Sequence, residues 1–193
     1  MCSIRNSIYE KQEIRLGLHS VNILERSIYM PIKNAVQPLI IEIDKTLRLR
    51  THDKSYWNMA LPWYTNPTVL YFSEGVTDKV YDLTVIERMY SYLTDIGELY
   101  FIEVYENQWK AIGDVTLSEV NMPIALGDEK YFGRGIGKRV IRKLIERAKD
   151  IGMKRIYIPS IYVYNIRSQN LFKSLGFIEV SSDDKEKSFE LVW

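Results

Sequence analysis

Three glycines fall within five residues, Gly133, Gly135 and Gly137, and open onto a stretch in which Ile136, Val140, Leu144, Ile145, Ala148 and Ile151 recur at helical spacing. Such spacing lays one apolar stripe on a core, with Lys138, Arg139, Arg142, Lys143 and Arg147 elsewhere around the wheel. Gly152 is placed to end the helix. Ahead of the glycines, "ELYFIEVYENQWKAIGDVTLSEVNMPIAL" alternates aromatic and β-branched residues with polar ones around Glu106-Asn107-Gln108, which predicts strands at about 98–106, 110–118 and 122–127. A strand, a glycine-rich turn and a helix N-terminus together make a general anion site, because unpaired backbone N–H groups and the helix dipole converge there. Phosphate is the natural guest.

The other segments are short. Leu39–Ile43 and Leu47–Leu49 alternate around Asp44-Lys45-Thr46, as strands joined by a turn do. "DKSYWNMALPWYTNP" keeps helical spacing until Pro62 or Pro67 interrupts it, and Val80–Leu93 predicts a second helix with Val85, Met89 and Leu93 on one face. After the glycine helix, "KRIYIPSIYVY" reads as a strand, Asn165 begins a short helix through Ser174, Gly176 ends it, and two strands follow. The order predicts an α/β (α+β) fold, a mixed sheet with helices on its faces.

Composition narrows the function. Of 193 residues, 46% are hydrophobic and 26% charged, the balance of one compact domain. The 26 lysines and arginines face 25 acidic residues, so neither a nucleic-acid nor a membrane partner is expected. Cys2 is the only cysteine and His19 and His52 the only histidines, which argues against a disulfide framework or a metal site. No apolar run approaches the ~18–20 residues of a membrane span, and "MCSIRNSIYEKQEIR" is too polar for a signal peptide, so a cytoplasmic location is expected. Residues 38–193 read as the domain. Residues 1–37 hold "IRLGL", "VNIL" and "IYMPI", too hydrophobic to float free and too few for a core of their own. This extension is expected to pack on the domain or on a second subunit of a homodimer.

Two nucleotide motifs fail on the glycines. A P-loop would need glycine at Phe132 and Ser or Thr at Arg139, and G-x-G-x-x-G would need glycine at Lys138. "FGRGIG", Phe132–Gly137, instead resembles Q/R-x-x-G-x-G/A, the pyrophosphate loop of the GCN5-related N-acetyltransferases (GNAT), with Phe132 where glutamine or arginine is usual. "YNIRSQNLFKSLGF", Tyr164–Phe177, resembles that family's later N-x-x-A-x-x-L-Y-x-x-x-G-F segment, with Asn165, Ser168, Leu171, Phe172, Gly176 and Phe177 on its positions. One helix and one strand separate the two motifs, as in the family. The resemblance covers roughly residues 46–180 and leaves out the first 40.

The resemblance implies a mostly antiparallel sheet of six to seven strands, flanked by about four helices, whose splayed parallel central strands hold acetyl-CoA as co-substrate. Ile124, Ala125 and Leu126 would meet the pantetheine arm. Phe132, Gly133, Arg134, Gly135, Ile136, Gly137 and Lys138 would form the pyrophosphate loop, and Asn165, Ser168 and Phe172 would complete the site. Lys138 reads equally as a solvated helix face, and Asn165 as an N-cap. Deprotonation of an amine with a pKa of ~10.4 needs a base, and Glu119 and Asp114 are the candidates. Phe172 stands where the family often has a tyrosine that protonates the departing thiolate, so Tyr164, Tyr162 or solvent would serve. Trp57, Trp63, Tyr64, Tyr71 and Glu74 could wall an acceptor pocket.

The implied activity is acetyl transfer to a primary amine of a small molecule or peptide by direct attack in a ternary complex. Further similarities, to aminoglycoside 6'-acetyltransferases and to acetyltransferases of ribosomal protein N-termini, leave the acceptor open. A non-catalytic acyl-CoA-binding sensor on the same fold is the main rival. A nucleic-acid module using the basic helix is opposed by the near-neutral charge.

Overall fold

The computed structural model describes residues 31, 32, 35–75 and 81–193. Strands β1 (Ile40–Asp44), β2 (Leu47–Thr51), β3 (Glu98–Glu106), β4 (Gln108–Leu117) and β5 (Ile124–Leu126) form one sheet in that order, each pair antiparallel. A second sheet has the order β6 (Arg155–Tyr162), β8 (Glu186–Val192), β7 (Ile178–Ser182), again antiparallel. The expected mostly antiparallel α/β architecture is present, but as eight strands, five plus three, in place of six to seven, with five α-helices in place of about four, and among the described residues no two strands pair in parallel. The hydrogen-bond ladder breaks between β5 and β6, where the resemblance places the splay. Asn107, at φ 62, turns the β3–β4 hairpin at the position its sequence foretells.

The two faces carry different layers. Helix α4 (Ile136–Asp150) lays Val140, Ile141, Leu144 and Ala148 on Leu49, Ile102, Val115 and Leu117, with Ile156, Ile158, Phe172 and Phe189 in the same core. On the opposite face α3 (Leu83–Ile96) packs Ile86, Met89, Tyr90 and Leu93 with Trp57, Tyr64, Leu99, Phe101 and Ala125. Strand alternation thus sends Val115 and Ile124 to the first core and Asp114 and Ala125 to the second.

The prolines act differently from the expectation. A 3-10 helix spans Lys54–Ala60, Pro62 lies in the first turn of α1 (Leu61–Tyr64), and Pro67 is the first residue of α2 (Pro67–Glu74). Asn66 caps α2, its side chain accepting from Thr68 N at 2.8 Å. A first-turn proline lacks only an N–H that has no intrahelical partner there, so each one starts a helix where the sequence reading ends one. Helix α5 (Ile166–Lys173) completes the described helices.

Residues 1–30, 33 and 34 lie outside the described residues, and with them most of the expected extension. Ile32 and Ala35 are buried in the first core, and Val36 O accepts from Arg147 Nη2 at 2.7 Å. Arg147 also grips the buried Glu98 carboxylate at 2.7 Å, fixing α4 to β3. Among the described residues no helix is long and apolar enough to cross a membrane, and no group of three or more His, Cys, Asp or Glu is placed to hold a metal ion.

Candidate functional site

Beyond β5 the chain makes a 3-10 turn, Glu129–Tyr131, and enters the glycine loop. Gly133 and Gly135 have φ of 72° and 73°, the left-handed region that glycine adopts without a Cβ clash, and Gly135 N-caps α4. A Cβ on either would meet nothing within 4 Å. These two are therefore required by backbone shape, on a loop with an open side. Gly137 differs, since a Cβ there would sit 3.3 Å from Leu171 Cδ2 and 3.9 Å from Ile124 Cδ1. Its bare backbone keeps open the space between α4, β5 and α5.

That space is a cavity of about 310 Å³. Ile124 and Leu126 wall it from β5, the loop and the first turn of α4 close one end, and Asn165, Ser168 and Leu171 face it from α5. Asn165, 1% exposed, accepts from Ser168 N at 3.1 Å and donates to Phe72 O at 3.2 Å, so one amide caps α5 and ties it to α2. A helix N-terminus without a side-chain cap at one end and largely apolar walls along the rest suit a long ligand with an anionic part.

Across β5 lies a second arrangement. Asp114 is 2% exposed and pairs with Ala125 in the β4–β5 register. Tyr90 Oη donates to its Oδ2 at 2.7 Å, and Tyr64 Oη reaches both carboxylate oxygens, at 3.1 and 3.0 Å. Burial raises its pKa to about 6, against the pull of the two tyrosine hydrogen bonds, which stabilise the charged form. The same burial, with Asp114's charge beside them, pushes both phenols well above their ordinary value. They stay protonated and act as donors.

Residues 87–177 match the model of the acetyltransferase (GNAT) family. The fold is the GNAT fold. A crystal structure of a domain from Methanocaldococcus jannaschii aligns with a TM-score of 0.65 at 23% identity, covering 78% of this chain and all, 100%, of that one. A ribosomal L7/L12 alpha-N-protein acetyltransferase in complex with coenzyme A gives 0.64 at 16% identity over 79% of this chain and 97% of its own. Spermidine N-acetyltransferase from Vibrio cholerae, with CoA and spermine, gives 0.61 at 16%, over 77% and 96%. No curated protein matches the chain.

On this GNAT fold the cavity gathers most of the coenzyme residues read from the sequence: Ile124 and Leu126, then Phe132, Gly133, Gly135, Ile136, Gly137 and Lys138, then Asn165 and Ser168. Three of that set are not among its lining residues. Ala125 points to Asp114's face, Arg134 lies exposed with its guanidinium 5.7 Å from the Tyr131 ring, and Phe172 is fully buried, edge-on to Phe177 at 5.1 Å. Of the acid–base candidates, Glu119 is exposed in the turn after β4. Tyr164 stacks on Tyr71 at 4.6 Å and on Tyr162 at 5.1 Å, and its hydroxyl donates to Tyr71 O at 2.7 Å. Trp57, Trp63, Tyr64 and Glu74 are buried, whereas Tyr71 is exposed.

Phe72, Tyr131, Arg167 and Leu171 also line the cavity. Leu171 has a motif position, but nothing in the sequence singles out Phe72, which arrives on α2 from about 50 residues or more away in sequence. Arg167 is one basic residue among 26 until its neighbours are known.

Proposed function

We propose that the protein is an N-acetyltransferase that moves the acetyl group of acetyl-CoA to a primary amine in a ternary complex. One observation carries this reading: the glycine-loop cavity and Asp114 lie on the two faces of β5, with Ile124 and Leu126 toward the first and Ala125 beside the second. A thioester lying along β5 would meet an acceptor arriving from the carboxylate's side. The amine nitrogen attacks the acetyl carbonyl carbon, the C–S bond breaks as the adduct collapses, and CoA leaves as a thiolate that takes a proton from solvent, helped by its modest pKa of ~8.5. The proton lost by nitrogen passes to Asp114, through water where the gap requires it. With a pKa of about 6, Asp114 is ionised at neutral pH and ready to accept. Tyr64 and Tyr90 hold it in place. This ordering puts Asp114 ahead of the exposed Glu119 as the base.

The acceptor class is a primary amine of a small molecule or peptide. Two proteins of this fold are described as acting on spermidine and on the N-terminus of ribosomal L7/L12. The test is free-thiol release from acetyl-CoA with a panel of polyamines, aminoglycosides and peptides. Transfer to at least one, lost in Asp114→Asn and kept in Glu119→Gln, supports the reading. Tight acetyl-CoA binding with transfer to none would convert it to an acyl-CoA-binding sensor, which the buried Phe172, at the family's acid position, makes the natural rival.

A further inference from the structure

We propose that Arg167, seated on Phe132, supplies from α5 the diphosphate contact that the first position of the glycine loop does not carry. The inference rests on the coenzyme reading above and names the residue that completes it. Phe132 stands where the resemblance has glutamine or arginine, side chains able to donate to a phosphate oxygen; a phenyl ring donates nothing. Yet the guanidinium carbon of Arg167 lies 5.1 Å from the Phe132 ring centroid and 5.6 Å from that of Phe72, both within cation–π reach. All three side chains line the cavity. The charge absent from residue 132 is thus present above it, delivered by another helix.

Beyond these ring contacts, no ion pair holds the guanidinium among the described residues, whereas Arg139 pairs with Asp44, Arg147 with Glu98 and Arg155 with Glu190. Two aromatic faces hold such a planar cation in place while its edge N–H groups stay available for a forked contact with paired oxygens. Lys138, in the first turn of α4, lines the same cavity. An anion at that helix terminus would therefore lie between a point charge on α4 and a planar fork on α5. The ring beneath Arg167 belongs to the residue that opens the loop, so the phosphates in question are the bridging diphosphate of the coenzyme and not the 3'-phosphate on its ribose.

Isothermal titration of CoA, dephospho-CoA and pantetheine into wild type, Arg167→Ala, Phe132→Leu and the double variant Phe132→Arg/Arg167→Ala tests this, with thermal melts to verify folding. Loss of one charge-assisted contact predicts about tenfold weaker CoA binding in Arg167→Ala. Dephospho-CoA should lose the same factor and pantetheine none. Phe132→Leu should weaken CoA by a smaller factor, and arginine at 132 in the double variant should restore most of the affinity. A folded Arg167→Ala with unchanged CoA affinity overturns the assignment. A loss seen with CoA but not with dephospho-CoA overturns the diphosphate in favour of the 3'-phosphate. Absence of CoA binding by the wild type would overturn the coenzyme reading itself, an outcome distinct from either.

Discussion

The two sides of β5 are built by different means. The side proposed for the coenzyme is a backbone construction: residues 124–138 run continuously from strand through turn to helix, and α5 closes it 27 residues beyond Lys138 with Asn165. Its key positions are glycines, chosen for what they lack. The side proposed for the acceptor is a side-chain construction. Asp114 from β4 meets Tyr64 from α1 and Tyr90 from α3, partners 50 and 24 residues away in sequence. Substitutions on the first side should therefore alter coenzyme binding, and those on the second should alter turnover and its pH dependence.

The largest effect should come from Asp114→Asn, with acetyl-CoA affinity held and kcat lowered by about a thousandfold, the scale of a lost general base. The wild-type kcat profile should show an inflection near pH 6 that the variant lacks, rising with pH because the base must be ionised. Stability should move the other way. The folded pKa of Asp114 lies above its ordinary 3.8, so the native state binds the proton more readily than the unfolded chain, and stability is lost as pH rises from about 4 to 6. Asp114→Asn should accordingly melt higher than wild type at pH 8 but not at pH 4. A variant that keeps turnover, or one that melts lower at pH 8, would break the contrast between the two sides.

Gly137→Asp is the matching lesion on the coenzyme side. Gly137 is helical without a positive φ, and the nearest atom to its Cβ is the end of a flexible leucine, so the fold should tolerate the change. A carboxylate at the anion site should weaken acetyl-CoA by about a hundredfold, roughly 3 kcal/mol, while kcat at saturating coenzyme falls much less. Gly135→Asp should bind as poorly and also melt lower, because φ there is 73°. Calorimetry and melting curves separate the two. Equal affinity for wild type and Gly137→Asp would remove the loop from the site.

What could be read before folding follows the same division. The glycine loop, the helix behind it and the β3–β4 hairpin all carry local periods and caps, so Gly135, Gly152 and Asn107 punctuate the chain where the pattern says they should. The prolines misled because proline both stops a helix and starts one, and only the cap at Asn66 tells which. Asp114 is legible as a carboxylate in the apolar run "AIGDVTL" and Tyr64 as one aromatic of a candidate acceptor wall, but nothing local joins them to each other or to Tyr90. Tyr90 follows Met89 and reads as one more apolar position of α3. Phe172 illustrates the converse, since a motif position names a role while its packing against Phe177 shows a core residue.

Tyr90→Phe sharpens the acceptor side with a smaller change. The hydrogen bond from Tyr90, at 2.7 Å the shortest that Asp114 receives, favours the charged carboxylate. Without it the inflection should move above pH 6, so turnover falls more at pH 6 than at pH 8, with acetyl-CoA affinity unchanged. Tyr64→Phe should shift the inflection in the same direction. If the inflection stays where it is in both variants, some group other than Asp114 titrates.

The smallest effect is expected at Tyr164, where the motif and the packing point to different roles. As the acid replacing the family's tyrosine, it would protonate the thiolate, and Tyr164→Phe would lower kcat without touching acetyl-CoA affinity. Its hydroxyl, however, already donates to Tyr71 O, and its ring is stacked between Tyr71 and Tyr162, outside the lining of the cavity. A hydroxyl with one proton cannot serve both acceptors, and leaving the carbonyl would cost about 1 kcal/mol. Solvent is the simpler donor for a thiolate whose conjugate acid has a pKa of ~8.5. Tyr164→Phe should therefore change kcat by less than about threefold between pH 6 and 9, and lower the melting temperature slightly through the loss of one partly exposed hydrogen bond. A tenfold fall in kcat confined to pH below the thiol's pKa would instead show that the stack opens during turnover, and would make Tyr164 the one residue that works on both sides of β5.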